Sequence, residues 1–226
     1  QLPSPISVVV LGARFENLLY KGAYDPNKLT GVTCYAIGDD LSTLAPPADL
    51  ATKESASCAH CWANVYGTDP KRGKGKACSN KVRIAVLPFD VDNQSTAELQ
   101  KVDGARLRIP PTGQKSWAVF VKKVTKALRR PLFAVVTSLK VSPDPIQRVK
   151  LEFDALGTLE NPAFLEVLES RLEEAKEQLS LPPALAADRE EVETPKTRKS
   201  GLKEKVTKKS SGAKTKKVPA GNMKKF

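Results

Sequence analysis

Four cysteines are the residues whose type and spacing could do chemistry: Cys34, Cys58, Cys61 and Cys78. Cys58-Ala-His-Cys61 is a C-x2-C knuckle, Cys78 follows after 16 intervening residues, and Cys34 lies 23 residues upstream of the knuckle. Four soft sulfur donors, two of them in one tight turn, suit a tetrahedral Zn2+ whose coordination sphere is filled by protein. A closed site of that kind is structural: it would order a long segment too poor in apolar residues to order itself. His60 is an alternative fourth ligand in place of Cys34, although its place inside the C-x2-C turn points it away. Two disulfides or four free thiols are the other readings. Disulfides require an oxidising compartment, and nothing in the sequence argues for export.

Between Cys61 and Cys78 runs WANVYGTDPKRGKGKA, which interleaves Trp62, Tyr66, Lys71, Arg72, Lys74 and Lys76 with three glycines. Glycine lets a backbone approach a phosphate, lysine supplies charge, and an aromatic ring offers a stacking face worth about 1–3 kcal/mol per base. Continued by Lys81, Arg83, Arg106, Arg108, Lys122 and Lys123, these residues would form an electrostatic track for a single strand. The competing reading has Trp62 and Tyr66 covering the metal site and the lysines forming a solvated face. The GKGK run lacks the G-x4-G-K-[ST] spacing of a phosphate-binding loop, so nucleotide hydrolysis is unsupported. A nucleophilic cysteine would need a base, and His60 is the only histidine, so no enzyme is expected.

The elements that must position these residues follow from hydrophobic period and turn chemistry. Ile6 to Leu11 reads as a strand ended by Gly12, and Val32 to Ile37 as a second. Residues 39–57 show no period and read as loop. Lys81 to Phe89 and Ala105 to Ile109 read as strands, the first with one basic face near its start and the second with Arg106 and Arg108 on one face. From Ser116, an N-cap candidate, Trp117, Phe120, Val121, Val124 and Leu128 fall at helical spacing, with Lys122, Lys123, Lys126, Arg129 and Arg130 covering the other side. Trp117 and Phe120 are expected in the core. Strands at Leu132 to Val141 and Arg148 to Phe153 form a hairpin, and a helix runs from Asn161 (N-cap) and Pro162 to about Leu179 with an acidic outer face. Strands with one helix between the third and fourth of five give the expected class: α+β, an OB-like antiparallel β-barrel with a zinc-binding loop excursion, two helices and a disordered basic C-terminal tail. Residues 1–182 form the domain, with the excursion at about 39–80, and 183–226 the lysine-rich tail.

Charge sharpens this division. The chain has 226 residues, 37 Lys+Arg against 25 Asp+Glu, and a net charge of +12. Residues 195–226 hold 12 of those cations and one acid, Glu204. The remainder is close to neutral, yet residues 71–130 carry 15 cations against four acids, masked by acidic flanks. No stretch approaches 18 uncharged apolar residues, so no membrane span is expected. No secretory leader is visible, and the sequence begins at Gln1 rather than methionine.

The knuckle Cys58 to Cys61 followed by Asn64 and Gly67, then GKGKAC, the basic-apolar SNKVRIAVLP, Lys115-Ser-Trp117 and a hairpin before an acidic helix together resemble bacteriophage cysteine-knuckle proteins. These are similar in layout to phage OB-fold single-stranded DNA-binding proteins. The resemblance covers about residues 30–180. It implies binding without catalysis, in phage DNA replication or recombination, with single-stranded DNA as partner, RNA left open, phage replication proteins as further partners, no small-molecule substrate, and the cytoplasm of the infected bacterial host as location. One departure stands out: such proteins commonly end in an acidic tail, whereas this chain ends in KKVPAGNMKKF. The alternative from another class is a virion or nucleoid-associated structural protein that meets nucleic acid mainly through its basic tail.

Overall fold

A computed structural model describes residues 5–20, 31–70, 73–144 and 148–185. Six antiparallel strands, β1 (Ile6–Tyr20), β2 (Val32–Gly38), β3 (Ser79–Pro88), β4 (Ala105–Ile109), β5 (Val135–Asp144) and β6 (Arg148–Thr158), make one sheet in the order β4-β3-β1-β5-β6, with β2 also paired to β1. Helices α1 (Thr96–Lys101), α2 (Gln114–Lys122), α3 (Pro162–Ser170) and α4 (Leu172–Ser180) cover it. The class is α+β with an open antiparallel sheet. Among the described residues no ladder joins β4 to β6, so closure into the expected barrel is not shown.

The long β1 organises the sheet. It pairs with β3 from Val8 to Leu18, with β5 over Ile6 to Val9, and with β2 over Phe15 to Tyr20. The expected strand ended at Gly12, but β1 runs through it with a register shift between Val10 and Gly12. A bulge there re-aims the second half of the strand. A Cβ on Gly12 would meet Leu179 Cδ1 of α4 at 3.2 Å, so the glycine marks a close approach and not a turn.

The two faces of the sheet are both buried, by different helices. Val8, Val10, Val82, Ile84, Val86, Leu139 and Phe153 pack beneath Trp117, Phe120 and Val124. Trp117 and Phe120 are therefore core residues, as expected, with the Trp117 ring 5.3 Å from that of Phe153. On the other face Val9, Leu87 and Val136 meet Leu99 of α1 and Val167 and Leu168 of α3, and Ala85 meets Ala175 and Leu179 of α4. Burial on both sides explains why central strands read as continuous apolar runs.

Four helices replace the expected two. The six-residue α1 is fixed by a capping box, Ser95 Oγ accepting from Glu98 N while the Glu98 carboxylate accepts from Ser95 N. The expected helix over Asn161 to Leu179 keeps its Asn161 cap but breaks at Arg171, whose Nη1 donates to Leu99 O at 3.0 Å and Val102 O at 2.6 Å. That guanidinium satisfies carbonyls at the end of α1, which locks the break in place. The α2 helix starts two residues before Ser116, after a 3-10 turn at Pro111–Gly113, and ends in a π-helical turn over Lys123–Ala127. No helix among the described residues is long and apolar enough to cross a membrane. Of the expected tail, residues 183–185 are described, with Leu185 bridging Val32 in parallel; residues 186–226 lie outside the described residues.

Candidate metal centre and nucleic-acid interface

Strand register brings two of the cysteines to the same level. Leu19 of β1 faces Cys34 on β2, and Leu18 faces Ser79 on β3, which places Cys78 beside the same stretch of β1. The knuckle is then laid over this end of the sheet by its backbone: Cys58 N donates to Leu44 O, Cys61 N to Cys58 O, Asn64 N to Cys61 O, and Cys78 N to Ala63 O at 2.8 Å. A 3-10 turn, Trp62–Asn64, follows Cys61.

All four cysteines line one cavity, whose volume of ≈ 20 Å³ has room for one small ion or water. They are free thiols, with Cys34, Cys58 and Cys78 buried and Cys61 partly so. Cys34 belongs to this lining, whereas His60 does not and is exposed. Burial raises the thiol pKa of Cys34, of Cys58 and most of all of Cys78, pushed up to about 12 by desolvation and then by its three neighbouring thiols, against a smaller lowering by Lys76. A divalent cation would displace those protons. The all-sulfur donor set thus fits Zn2+. As they stand, however, no three His, Cys, Asp or Glu side chains among the described residues are spaced to hold a metal ion, so coordination would draw the thiols closer together.

The sequence-predicted interface divides into three groups. Trp62 is 53% exposed and Tyr66 77% exposed, and neither lines the cysteine cavity. Trp62 Nε1 donates to Glu54 Oε2 at 3.0 Å, which orients the indole, and Lys76 Nζ lies 5.0 Å from the Tyr66 ring centroid. Lys74 is exposed, and Lys81 stands 5.8 Å over the Tyr20 ring. Lys71 and Arg72 lie outside the described residues.

The second group is Arg83, Arg106 and Arg108: Arg106 and Arg108 are exposed on β4, whereas the expectation that Arg83 lies on a basic solvated face of β3 is corrected. Arg83 is completely buried. Its Nε donates to Glu16 Oε1 at 2.7 Å, its Nη2 pairs with the same oxygen, and its Nη1 donates to Leu179 O at 3.1 Å and Leu181 O at 2.6 Å. Arg108 Nε donates to Glu16 Oε2 at 2.7 Å, and Arg106 Nη1 to Gln178 O at 3.0 Å. Arg83 and Arg106 thus close the C-terminal end of α4, where free carbonyls and the helix dipole favour cations, while Arg108 bonds Glu16 alone. Glu16, buried on β1, was not foreseen as their counter-charge.

The third group is Lys122 and Lys123, both exposed at the end of α2, on the opposite side of the sheet from α4. A polar chain that sequence reading missed links α2 to the knuckle. Gln114 Nε2 donates to Asn80 O at 2.9 Å, Asn80 Nδ2 to Asn64 Oδ1 at 3.1 Å, Lys76 Nζ to the same Asn64 oxygen at 3.0 Å, and Asn64 Nδ2 to Cys58 O at 2.8 Å. The one available signal was the position of Asn64, three residues beyond Cys61. Compared with known proteins, the chain matches no family model, no curated protein and no solved structure.

Proposed function

We propose that the chain is a non-enzymatic single-stranded DNA-binding protein, built on an OB-like sheet whose knuckle excursion is stabilised by zinc. The observation that carries this reading is the knuckle surface, where Trp62 and Tyr66 stand exposed, Lys76 lies over the Tyr66 ring and Lys74 is exposed, with Gly67 N donating to Gly75 O and Cys78 N to Ala63 O. Large rings held out to solvent are costly without a partner, and next to lysines they make a stacking platform for bases with neutralisation of the backbone. Cys34, Cys58, Cys61 and Cys78 would hold the ion. Four thiolates leave no position for water, so the metal supplies folding free energy and no reaction. The setting in phage DNA replication or recombination rests on the resemblance of the sequence.

The test is a salt-titrated binding assay on the full chain with oligo-dT and with duplex DNA, read by tryptophan fluorescence. Trp117 is buried, so quenching reports Trp62. Single strands are expected to bind tighter than duplex, with log K falling against log salt at a slope of about −4 to −6 for six to eight neutralised phosphates. Replacing Trp62 and Tyr66 by Ala should weaken binding by roughly tenfold or more, at about 1–3 kcal/mol per lost stacking contact. Preference for duplex, or a double variant that binds like the parent while deletion of 195–226 abolishes binding, would favour the tail-driven structural protein instead.

A further inference from the structure

Lys115, Lys122, Lys123, Lys126 and Arg129 project from one helix and its terminal turn, and all are exposed. Among the described residues none of the five lies within ion-pair distance of a carboxylate, whereas Arg130 pairs with Glu160, and Arg171 and Lys176 with Glu174 and Glu173. Five neighbouring cations without a counter-charge repel one another, a cost that an acid or a neutral residue at any of these positions would remove.

The backbone under them adds a second observation. The helix ends with Leu128 N donating to Lys123 O and Arg130 N to Val124 O, and between them Arg129 adopts a φ of 51°. This is the left-handed position after a helix that glycine ordinarily fills, because a Cβ there crowds the backbone. An arginine keeps the strain and adds another cation at the tip of the charged face.

The third observation is continuity. The first residue of α2, Gln114, is joined to the knuckle through Asn80 and Asn64. From there to Arg129 the helix and its turn extend about 22 Å at 1.5 Å per residue, the span of about six phosphates at roughly 3.4 Å each along a stacked strand.

From this placement we infer that the outer face of α2 and its π-helical turn is a phosphodiester-binding surface, which takes the backbone of the same strand whose bases stack on Trp62 and Tyr66. The inference rests on the single-strand reading for its ligand. It adds a division of labour: rings in the knuckle hold bases, and the helix holds phosphates further along. Lys122 and Lys123 belong to it, and Lys115, Lys126 and Arg129 extend it. Arg83, Arg106 and Arg108, on the other face, take no part.

Full-length protein carrying Lys122→Gln, Lys126→Gln and Arg129→Gln together separates the terms. With a dT oligomer of about 16 nucleotides, the salt slope is expected to become shallower by about 2, three contacts at about 0.7 each, while Trp62 quenching at saturation stays unchanged. With an oligomer of about five nucleotides, which occupies only the knuckle, the triple variant should bind like the parent. An unchanged slope on the long oligomer overturns the proposal, as does an equal loss on the short one. Arg129→Gly alone should keep or raise the thermal midpoint while making the slope shallower by about 0.7; a lower midpoint would mean Arg129 serves folding, and that would count against its phosphate role. If the parent shows no Trp62 quenching yet the triple variant still reduces the slope, the stacking reading falls and the helix surface stands. No binding by the parent at all removes both.

Discussion

At the scale of single residues, position in the sheet decides what a side chain can do. Cys34, Cys58, Cys61 and Cys78 come from a strand, a knuckle and the approach to another strand, and converge because β1 sits between β2 and β3. The C-x2-C spacing made Cys58 and Cys61 legible as a pair. That Cys34 and not His60 faces the cavity depends on the pairing of Leu19 with Cys34, which no spacing rule contains. Purified protein is expected to carry one zinc per chain. Cys58→Ser and Cys34→Ser should each lose it and unfold at lower denaturant, and His60→Ala should keep both metal and midpoint. Full zinc content in Cys34→Ser would remove that residue from the ligand set. Loss of metal with unchanged stability in Cys58→Ser would contradict the structural role.

Arg83 teaches the opposite lesson at the level of elements. In sequence it alternates with apolar neighbours and reads as the solvated side of β3. Its partners Glu16, Leu179 and Leu181 lie 67 and more residues away, so burial of its charge is a tertiary fact. The expected end of β1 at Gly12 fails for the same reason: the glycine reads locally as a strand breaker, but it is a bulge position pressed against Leu179 of α4, 167 residues away. The short α1 carries its capping box in the sequence, Ser95-Thr-Ala-Glu98, but six residues are too few to show a helical period. What local pattern could give, the strands at Val32 and Ala105 and the apolar stripe of α2, it gave well, since those elements bury one face against near neighbours. The ion pair makes a prediction at this scale. Arg83→Ala leaves Glu16 with only Arg108 and unhooks the end of α4, and should cost about 3–5 kcal/mol in urea unfolding. Binding per folded molecule should stay as in the parent; a variant that keeps its stability and loses binding would return Arg83 to the interface.

For the whole molecule, the sheet separates charge. The four acids within the basic block 71–130, Asp90, Asp92, Glu98 and Asp103, lie before, in and just after α1, which packs with α3. The acidic residues Glu166, Glu169, Glu173, Glu174 and Glu177 are exposed on α3 and α4. On the other face stands α2 with its lysines. A near-neutral body is therefore two-sided, which composition could not show because block counts run along the chain and not through the fold.

That two-sidedness has a consequence for kinetics. A polyanion approaching from the side of α3 and α4 meets repulsion and one approaching α2 meets attraction, so collisions are sorted before contact. Association with single strands should be fast and should slow by about tenfold or more as the Debye length falls from about 30 Å at 0.01 M salt to about 8 Å at 0.15 M. In stopped-flow traces, reversing Lys115 and Lys122 to Glu should slow association more than reversing Lys224 and Lys225. Equal slowing by both pairs would mean that total charge alone governs capture. If the first pair dominates, the protein meets its ligand already facing the right way, and each encounter has a higher chance of becoming a complex.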